Sequence, residues 1–87
     1  MTDQDPKLVI SSVSQKVLVD GYPFSIEVFR LEHEEFWTLE VIDRDGTSHV
    51  WDDSFESDTA ARDRAIADLQ AEGAIGFMRG DNVVPFR

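Results

Sequence analysis

The stretch QKVLVDGYPFSIEVFRL (residues 15–31) decides the fold, because it joins two β-rich runs through Asp20-Gly21. An Asp-Gly pair flanked by alternating apolar residues is the strongest short-range signal for a β-hairpin with a two-residue turn. Such a turn places Val19 beside Tyr22 on the neighbouring strand. The sequence therefore predicts an antiparallel sheet that grows outward from this hairpin.

Two further strands are predicted downstream, in the run FWTLEVIDRDGTSHVWDD (residues 36–53). The short polar link EHEE (residues 32–35) suits the turn of a second hairpin. The DRDGT segment (residues 43–47) suits a three-residue hairpin loop in which Gly46 takes a positive φ and the Asp43 side chain bonds backbone amides ahead of it. This loop pairs Val41 with His49 across the third hairpin.

A helix is predicted for SDTAARDRAIADLQAEG (residues 57–73), with Ser57 as the N-cap and Gly73 at the C-terminal end. The pattern after it is less regular: Ile75 and Phe77 alternate, which suits either a short C-terminal edge strand or a cover over the core. The helix presents an apolar stripe at helical spacing, formed by Ala61, Ala65, Ile66 and Leu69.

These elements predict an α+β fold, a four-stranded antiparallel β-meander followed by one α-helix packed on one face. We expect one small domain over residues 1–87, with an ordered core at about residues 8–78 and loosely held ends at 1–7 and 79–87. The expected core comprises Val17, Val19, Phe24, Ile26, Val28, Leu39, Val41, Trp51, Ala65, Ile66 and Leu69.

The charge is strongly acidic and unevenly placed. The net charge is −10, and residues 32–72 alone carry thirteen acids and three bases. Nucleic-acid binding and attraction to anionic membranes both depend on Lys and Arg, so neither is expected. The chain has no cysteine, and its first ten residues lack the pattern of a signal peptide, which together favour a cytoplasmic protein.

The aspartates around Gly46 raise the question of a calcium loop. Placing Gly46 at position 6 of a helix-loop-helix calcium site puts Val41 at position 1, where a carboxylate is needed, and Asp52 at position 12, where a glutamate is needed. The flanking segments are also strand-like. Turn chemistry explains these aspartates better, so no metal site and no cofactor are expected.

Catalytic candidates are few. His33 lies in a polar turn, and His49 lies near the rim of the core face, where a structural role is the simpler interpretation. Glu27 and Glu40 fall opposite each other if the second hairpin has a four-residue loop, and close carboxylates can serve acid–base chemistry. No nucleophile elbow and no glycine-rich phosphate loop occurs in the sequence, so we do not expect an enzyme.

The remaining feature is the second face of the sheet, which the single helix cannot cover. Alternation places six apolar residues there, and soluble monomers rarely expose large apolar patches. The cover could be the N-terminal segment, the tail with Val83, Val84 and Phe86, or another protein. We therefore expect a non-enzymatic protein-interaction or assembly module that forms a C2 dimer or binds a basic hetero-partner. The alternative is an acidic decoy that mimics nucleic acid and occupies a basic DNA- or RNA-binding protein. The six expected interface residues are Leu18, Phe29, Leu31, Phe36, Ile42 and Val50.

Overall fold

The computed structural model describes residues 7–79 of the 87-residue chain. The tail residues Val83, Val84 and Phe86, and all of the expected loosely held ends at 1–7 and 79–87 except Lys7 and Arg79, lie outside the described residues. Five strands precede one helix, and an antiparallel sheet with a helix on one face confirms the predicted α+β fold. The elements are β1 (Leu8–Ile10), β2 (Gln15–Val19), β3 (Tyr22–Leu31), β4 (Thr38–Ile42), β5 (Ser48–Val50) and α1 (Asp58–Arg79).

The long strand β3 organises the sheet. Both β1 and β2 pair antiparallel with it on one side, and β4 pairs with it on the other, followed by β5. The first hairpin has the predicted register, with Val19 opposite Tyr22. Asp20 and Gly21 have φ values of 54° and 82°, as a turn with two left-handed central residues requires.

The sheet differs from the predicted meander at its edge. The additional strand β1 pairs with the C-terminal end of β3, so β1 and β2 share one side of the same partner strand. A turn separates them, in which the Ser14 amide donates to the Ser11 carbonyl at 3.1 Å. The Val28 backbone bridges this interruption, because its carbonyl accepts from the Ser11 amide at 2.8 Å and its amide donates to Ser14 Oγ at 3.0 Å.

The core lies between the inner face of the sheet and α1. Every residue of the predicted core belongs to it, although Val17, Val19, Trp51 and Ile66 are only partly buried. The predicted core did not include Ala61, Ala74 and Phe77, although the sequence placed Ala61 on the apolar stripe of the helix and offered Phe77 as part of a cover over the core. The fully buried apolar members are Phe24, Ile26, Val28, Leu39, Val41, Ala61, Ala65, Leu69, Ala74 and Phe77.

The helix continues beyond its predicted end, and the suggested short C-terminal strand at Ile75 and Phe77 is wrong. Gly73 leaves the helical conformation, with φ 74° and ψ 160°, but helical structure resumes at once and runs to Arg79. The restart has a cap from elsewhere in the chain, because the Ala74 amide donates to Asp20 Oδ2 at 3.0 Å. The hairpin turn thus supplies the bond that a new helical turn needs.

Within the described part of the chain, no helix is both long enough and apolar enough to cross a membrane.

Candidate functional site: the outer face of the sheet

The Asp-rich loop builds structure around a buried carboxylate. The Asp43 side chain is only 2% exposed. Its Oδ1 accepts from the amides of Asp45 at 2.9 Å and Thr47 at 3.1 Å, which confirms the predicted turn. Its Oδ2 lies 3.0 Å from His49 Nε2, because the predicted register sets the histidine opposite Val41.

The environment of Asp43 keeps it ionised. Burial by itself disfavours the charged form and would raise the pKa of this carboxyl. The hydrogen bond to His49 and those from the Thr47 and Asp45 amides outweigh burial, so the pKa of Asp43 lies below its ordinary value. A carboxylate whose two oxygens interact in this way with the turn amides and with His49 stabilises the hairpin of β4 and β5.

The helix covers this pair from the other side. The Phe77 ring lies 4.6 Å from the His49 ring and 5.9 Å from Trp51, measured between centroids. Trp51 Nε1 donates to Asp68 Oδ2 at 2.8 Å, which ties β5 to α1. His49 therefore packs within the fold and has its acidic partner there, as the structural interpretation of this residue expects.

The opposite face of the sheet, called here the outer face, points away from α1. It contains Leu8 and Ile10 of β1, Phe29 and Leu31 beside them on β3, and Glu27 and Glu40 further along β3 and β4. Leu8 is 56% exposed and Ile10 is 53% exposed. No described element covers this face, so apolar and acidic side chains meet solvent side by side.

The structure divides the six predicted interface residues into three places. Phe29, Leu31 and Phe36 lie toward one end of the outer face, where Leu8 and Ile10 enlarge the group. Val50 lies beside Glu40, and Ile42 lies one row further along β4. Leu18 lies opposite Pro23, roughly 27 Å along β3 from Leu31, so it is far from Phe29 and Leu31 and lies one row beyond Ile42.

Sequence reasoning missed Leu8 and Ile10. The LVI run is only three residues long, and a run that short gives no periodicity from which a strand can be predicted. Its apolar composition next to the polar segment SSVS was the available signal. The apolar end of the outer face comprises Leu8, Ile10, Phe29, Leu31 and Phe36.

The loop between β3 and β4 is held firmly at this end. The Arg30 guanidinium lies 4.9 Å from the centroid of the Trp37 ring and donates to the carbonyls of Leu31, Glu32 and Glu34 at 3.2, 3.2 and 3.0 Å. Glu34 Oε1 accepts from the Leu31 amide at 3.0 Å. The exposed Phe36 is therefore presented from an organised loop.

The middle of the outer face is acidic. Glu27 and Glu40 lie directly opposite each other on β3 and β4, in the register that a four-residue loop would set, although β3 ends at Leu31 and β4 begins only at Thr38. Their Cβ atoms are about 5 Å apart in this arrangement. Glu40 also accepts a hydrogen bond from the Ser48 hydroxyl of β5, and Val50 of the same strand lies directly opposite Glu40. We call Glu27 and Glu40 the acidic pair.

Concave features are shallow. One open hollow of about 310 Å³ is lined by Glu34, Glu35, Phe36, Thr38 and Ser54. Among residues 7–79, no group of three or more histidine, aspartate or glutamate side chains is arranged to hold a metal ion.

The fold and this site define a small α+β domain whose uncovered sheet face combines an apolar end with an acidic pair. Comparison with protein-family models, with curated proteins and with solved structures finds no match in any of the three.

Proposed function

We propose that this chain is a non-enzymatic protein-interaction module whose outer face binds a hetero-partner that carries basic side chains among apolar ones. The observation that carries the proposal is the acidic pair at the centre of a sheet face that none of residues 7–79 covers. Within residues 7–79, neither Glu27 nor Glu40 takes part in an ion pair. The absence of cysteine from so small a domain suits a reducing, cytoplasmic setting.

Physical chemistry makes this pair costly to the isolated domain. Like charges directly opposite on neighbouring strands destabilise a sheet, and most other residue pairs would fit the position better. A cation from a partner would remove the repulsion and gain attraction to both carboxylates. Binding of a basic group is therefore favoured at the acidic pair.

The same charges disfavour a dimer through this face. Face-to-face stacking would bring the acidic pairs of two copies toward each other, and each copy carries a net charge of −10. The apolar end supplies area for contact, since Leu8 and Ile10 are each more than half exposed. A partner with complementary charge fits both features better than a second copy does.

The non-enzymatic part of the proposal is supported by how the fold uses Asp43 and His49. The carboxylate is engaged by two backbone amides and the imidazole, and Phe77 packs against the ring. A catalytic pair needs access to a substrate in a concave site. Asp43 and His49, in contrast, have their interaction partners inside the fold.

The decoy alternative has less support on the described surface. A nucleic-acid mimic needs rows of free carboxylates that resemble phosphates. On the helix side, Arg62 bonds Asp63 at 2.8 Å, and Arg64 bonds both Asp53 and Asp68 at 2.9 Å. These arginines interrupt such a row.

The test is affinity capture from the native lysate with matched variants. Glu27→Lys/Glu40→Lys changes the outer face, and Asp52→Lys/Glu56→Lys makes the same charge change at exposed positions that belong to no strand. We expect wild type and the Asp52/Glu56 variant to capture the same proteins, and the Glu27/Glu40 variant to lose them. Circular dichroism confirms that each variant is folded.

Two results would decide against the proposal. Capture of the same proteins by all three chains would mean that the outer face is not the binding surface. Capture that is lost with both variants, and is displaced by duplex DNA or RNA, would favour the decoy function instead.

A further inference from the structure

We infer that the segment bound by the outer face is an amphipathic α-helix lying along β3 and β4, with a basic side chain over the acidic pair. This inference rests on the proposed function and specifies its partner. Proteins recognise extended segments by adding a strand at a sheet edge, and helices by covering an apolar surface. The backbone groups available at the sheet edges, and the size of the outer face, indicate which of the two modes fits this sheet.

The edges offer little to an added strand. On β1, the Lys7 carbonyl accepts from Glu32 and the Ser11 amide donates to Val28, so alternation leaves only Leu8 and Ile10 with backbone groups pointing outward. The turn between β1 and β2 then interrupts this edge, and on β2 only Lys16 and Leu18 have backbone groups pointing outward.

The other edge is similarly short. The Thr47 carbonyl accepts from Asp43 and the Trp51 amide donates to the Leu39 carbonyl, so only Ser48 and Val50 of β5 point outward. An added strand would gain few backbone hydrogen bonds at either edge.

The outer face, in contrast, is large enough to hold one helix. On the inner side, α1 covers this same sheet with one segment before the break at Gly73 and a short one after it, and it contacts β2, β3 and β4. Strands lie about 4.8 Å apart and a helix is about 10 Å across, so one helix over β3 and β4 also touches the strands beside them. A second helix of similar length would cover the outer side.

The rows of side chains set the spacing that such a helix must have. Phe29 with Thr38, then Glu27 with Glu40, then Ser25 with Ile42 form three successive rows along β3 and β4, and Lys16 of β2 lies beside Ser25 in the third row. Rows on one face of a strand are about 6.8 Å apart, and a helix rises about 1.5 Å per residue, so one row corresponds to roughly four or five helical residues. The expected pattern is apolar, basic, apolar at about one-turn intervals. Because this pattern is the same in both directions, either helix orientation satisfies it.

The probe is a synthetic helix of about 16 residues in an alanine and glutamine background, with leucine at i, arginine at roughly i+4 and leucine at i+8. The first control peptide has the same composition but carries its arginine on the opposite helix face. The second has a central proline, which prevents the helix. Binding of each labelled peptide is measured by fluorescence anisotropy.

The measurements use wild type, Glu27→Gln/Glu40→Gln, and the matched control Asp52→Asn/Glu56→Asn. We expect wild type and the control variant to bind the first peptide about fivefold more tightly than the peptide with the misplaced arginine. This preference should disappear in the Glu27/Glu40 variant and weaken as salt is raised. The proline peptide should bind at least tenfold more weakly than the first.

The outcomes separate this inference from the proposed function. If the proline peptide binds as tightly as the helix, and its binding depends on the acidic pair, the helical partner is wrong but the interaction face stands. If the helical peptide does not bind at millimolar concentration, the inference also fails. If no peptide depends on the acidic pair and lysate capture is unaffected by Glu27→Lys/Glu40→Lys, the proposed function fails with it.

Discussion

At the scale of single residues, Asp43 shows how a turn residue becomes part of the core. The DRDG sequence predicts that its side chain bonds the backbone ahead of it, and both predicted amide bonds form. Its contact with His49 follows from the hairpin register. The packing of Phe77 against His49 could not be predicted, because it depends on a helical segment contributed from more than 25 residues further along the chain.

Replacing this carboxylate should destabilise the protein. In Asp43→Asn, the buried group loses its charge and one acceptor oxygen, so its bonds to His49 and the turn amides are incompletely replaced. We expect a loss of about 1–3 kcal/mol in the free energy of unfolding at neutral pH. Urea titration followed by tryptophan fluorescence measures it. The control is Asp45→Asn, which changes an exposed carboxylate in the same loop and should have little effect.

The same variant should have a characteristic pH dependence. Because the fold lowers the pKa of Asp43 below 3.8, its ionised form stabilises the protein fully above about pH 5, where the same carboxyl is also ionised in the unfolded chain. The contribution is lost as the pH falls through the lowered value. The difference between wild type and Asp43→Asn should therefore be constant above pH 5 and shrink below pH 4. A difference that persisted unchanged at pH 2 would contradict this role.

At the scale of elements, the break in α1 explains why the suggested C-terminal strand was wrong. Gly73 has the positive φ expected of a residue that ends a helix, so the local prediction at that position was sound. The helix resumes because Asp20, in the first hairpin turn, caps Ala74. A cap supplied from 54 residues away leaves no local signal, and alternation of Ile75 and Phe77 then resembles a strand.

Removing this cap should loosen the last helical turns. Asp20→Gly keeps the left-handed turn conformation but deletes the acceptor of the part-buried Ala74 amide, and should cost about 1 kcal/mol of stability. Asp20→Asn is the control, since its side-chain oxygen can still accept from Ala74 and asparagine suits the turn. Hydrogen exchange of the amides after Gly73 should accelerate in the first variant only. Equal exchange in both variants would mean that Asp20 does not hold this segment.

The strand pair β3–β4 offers a test of the acidic pair that needs no partner. Glu27→Lys places opposite charges across the two strands, and should raise the free energy of unfolding by about 0.5–1 kcal/mol at low salt. Glu56→Lys makes the same change in net charge at an exposed position outside the sheet, and shows how much the change in net charge alone affects the free energy of unfolding. A Glu27→Lys chain that is no more stable than Glu56→Lys would indicate that the two carboxylates do not repel each other appreciably.

At the scale of the whole molecule, alternation and turn chemistry were enough to predict the class of fold. The hairpin at Asp20-Gly21 and the loop at Gly46 fixed two registers, and those registers set which side chains face the helix. The third register, between β3 and β4, also placed Glu27 opposite Glu40. The alternation of apolar residues could not predict how far the outer face extends, because β1 belongs to the sheet only through its pairing with the C-terminal end of β3.

The oligomeric state of the chain depends both on the outer face and on the net charge of the molecule. If the outer face serves a basic hetero-partner, the chain by itself should sediment as a monomer at both low and high ionic strength. Screening weakens the repulsion between two copies carrying −10 each, so high salt is the stricter condition. Phe36→Glu, at the exposed apolar end, should then leave the sedimentation unchanged while reducing partner capture. A wild-type dimer at high salt that dissociates in Phe36→Glu would show that the apolar end binds a second copy, and the acidic pair would lose its role in selecting the partner.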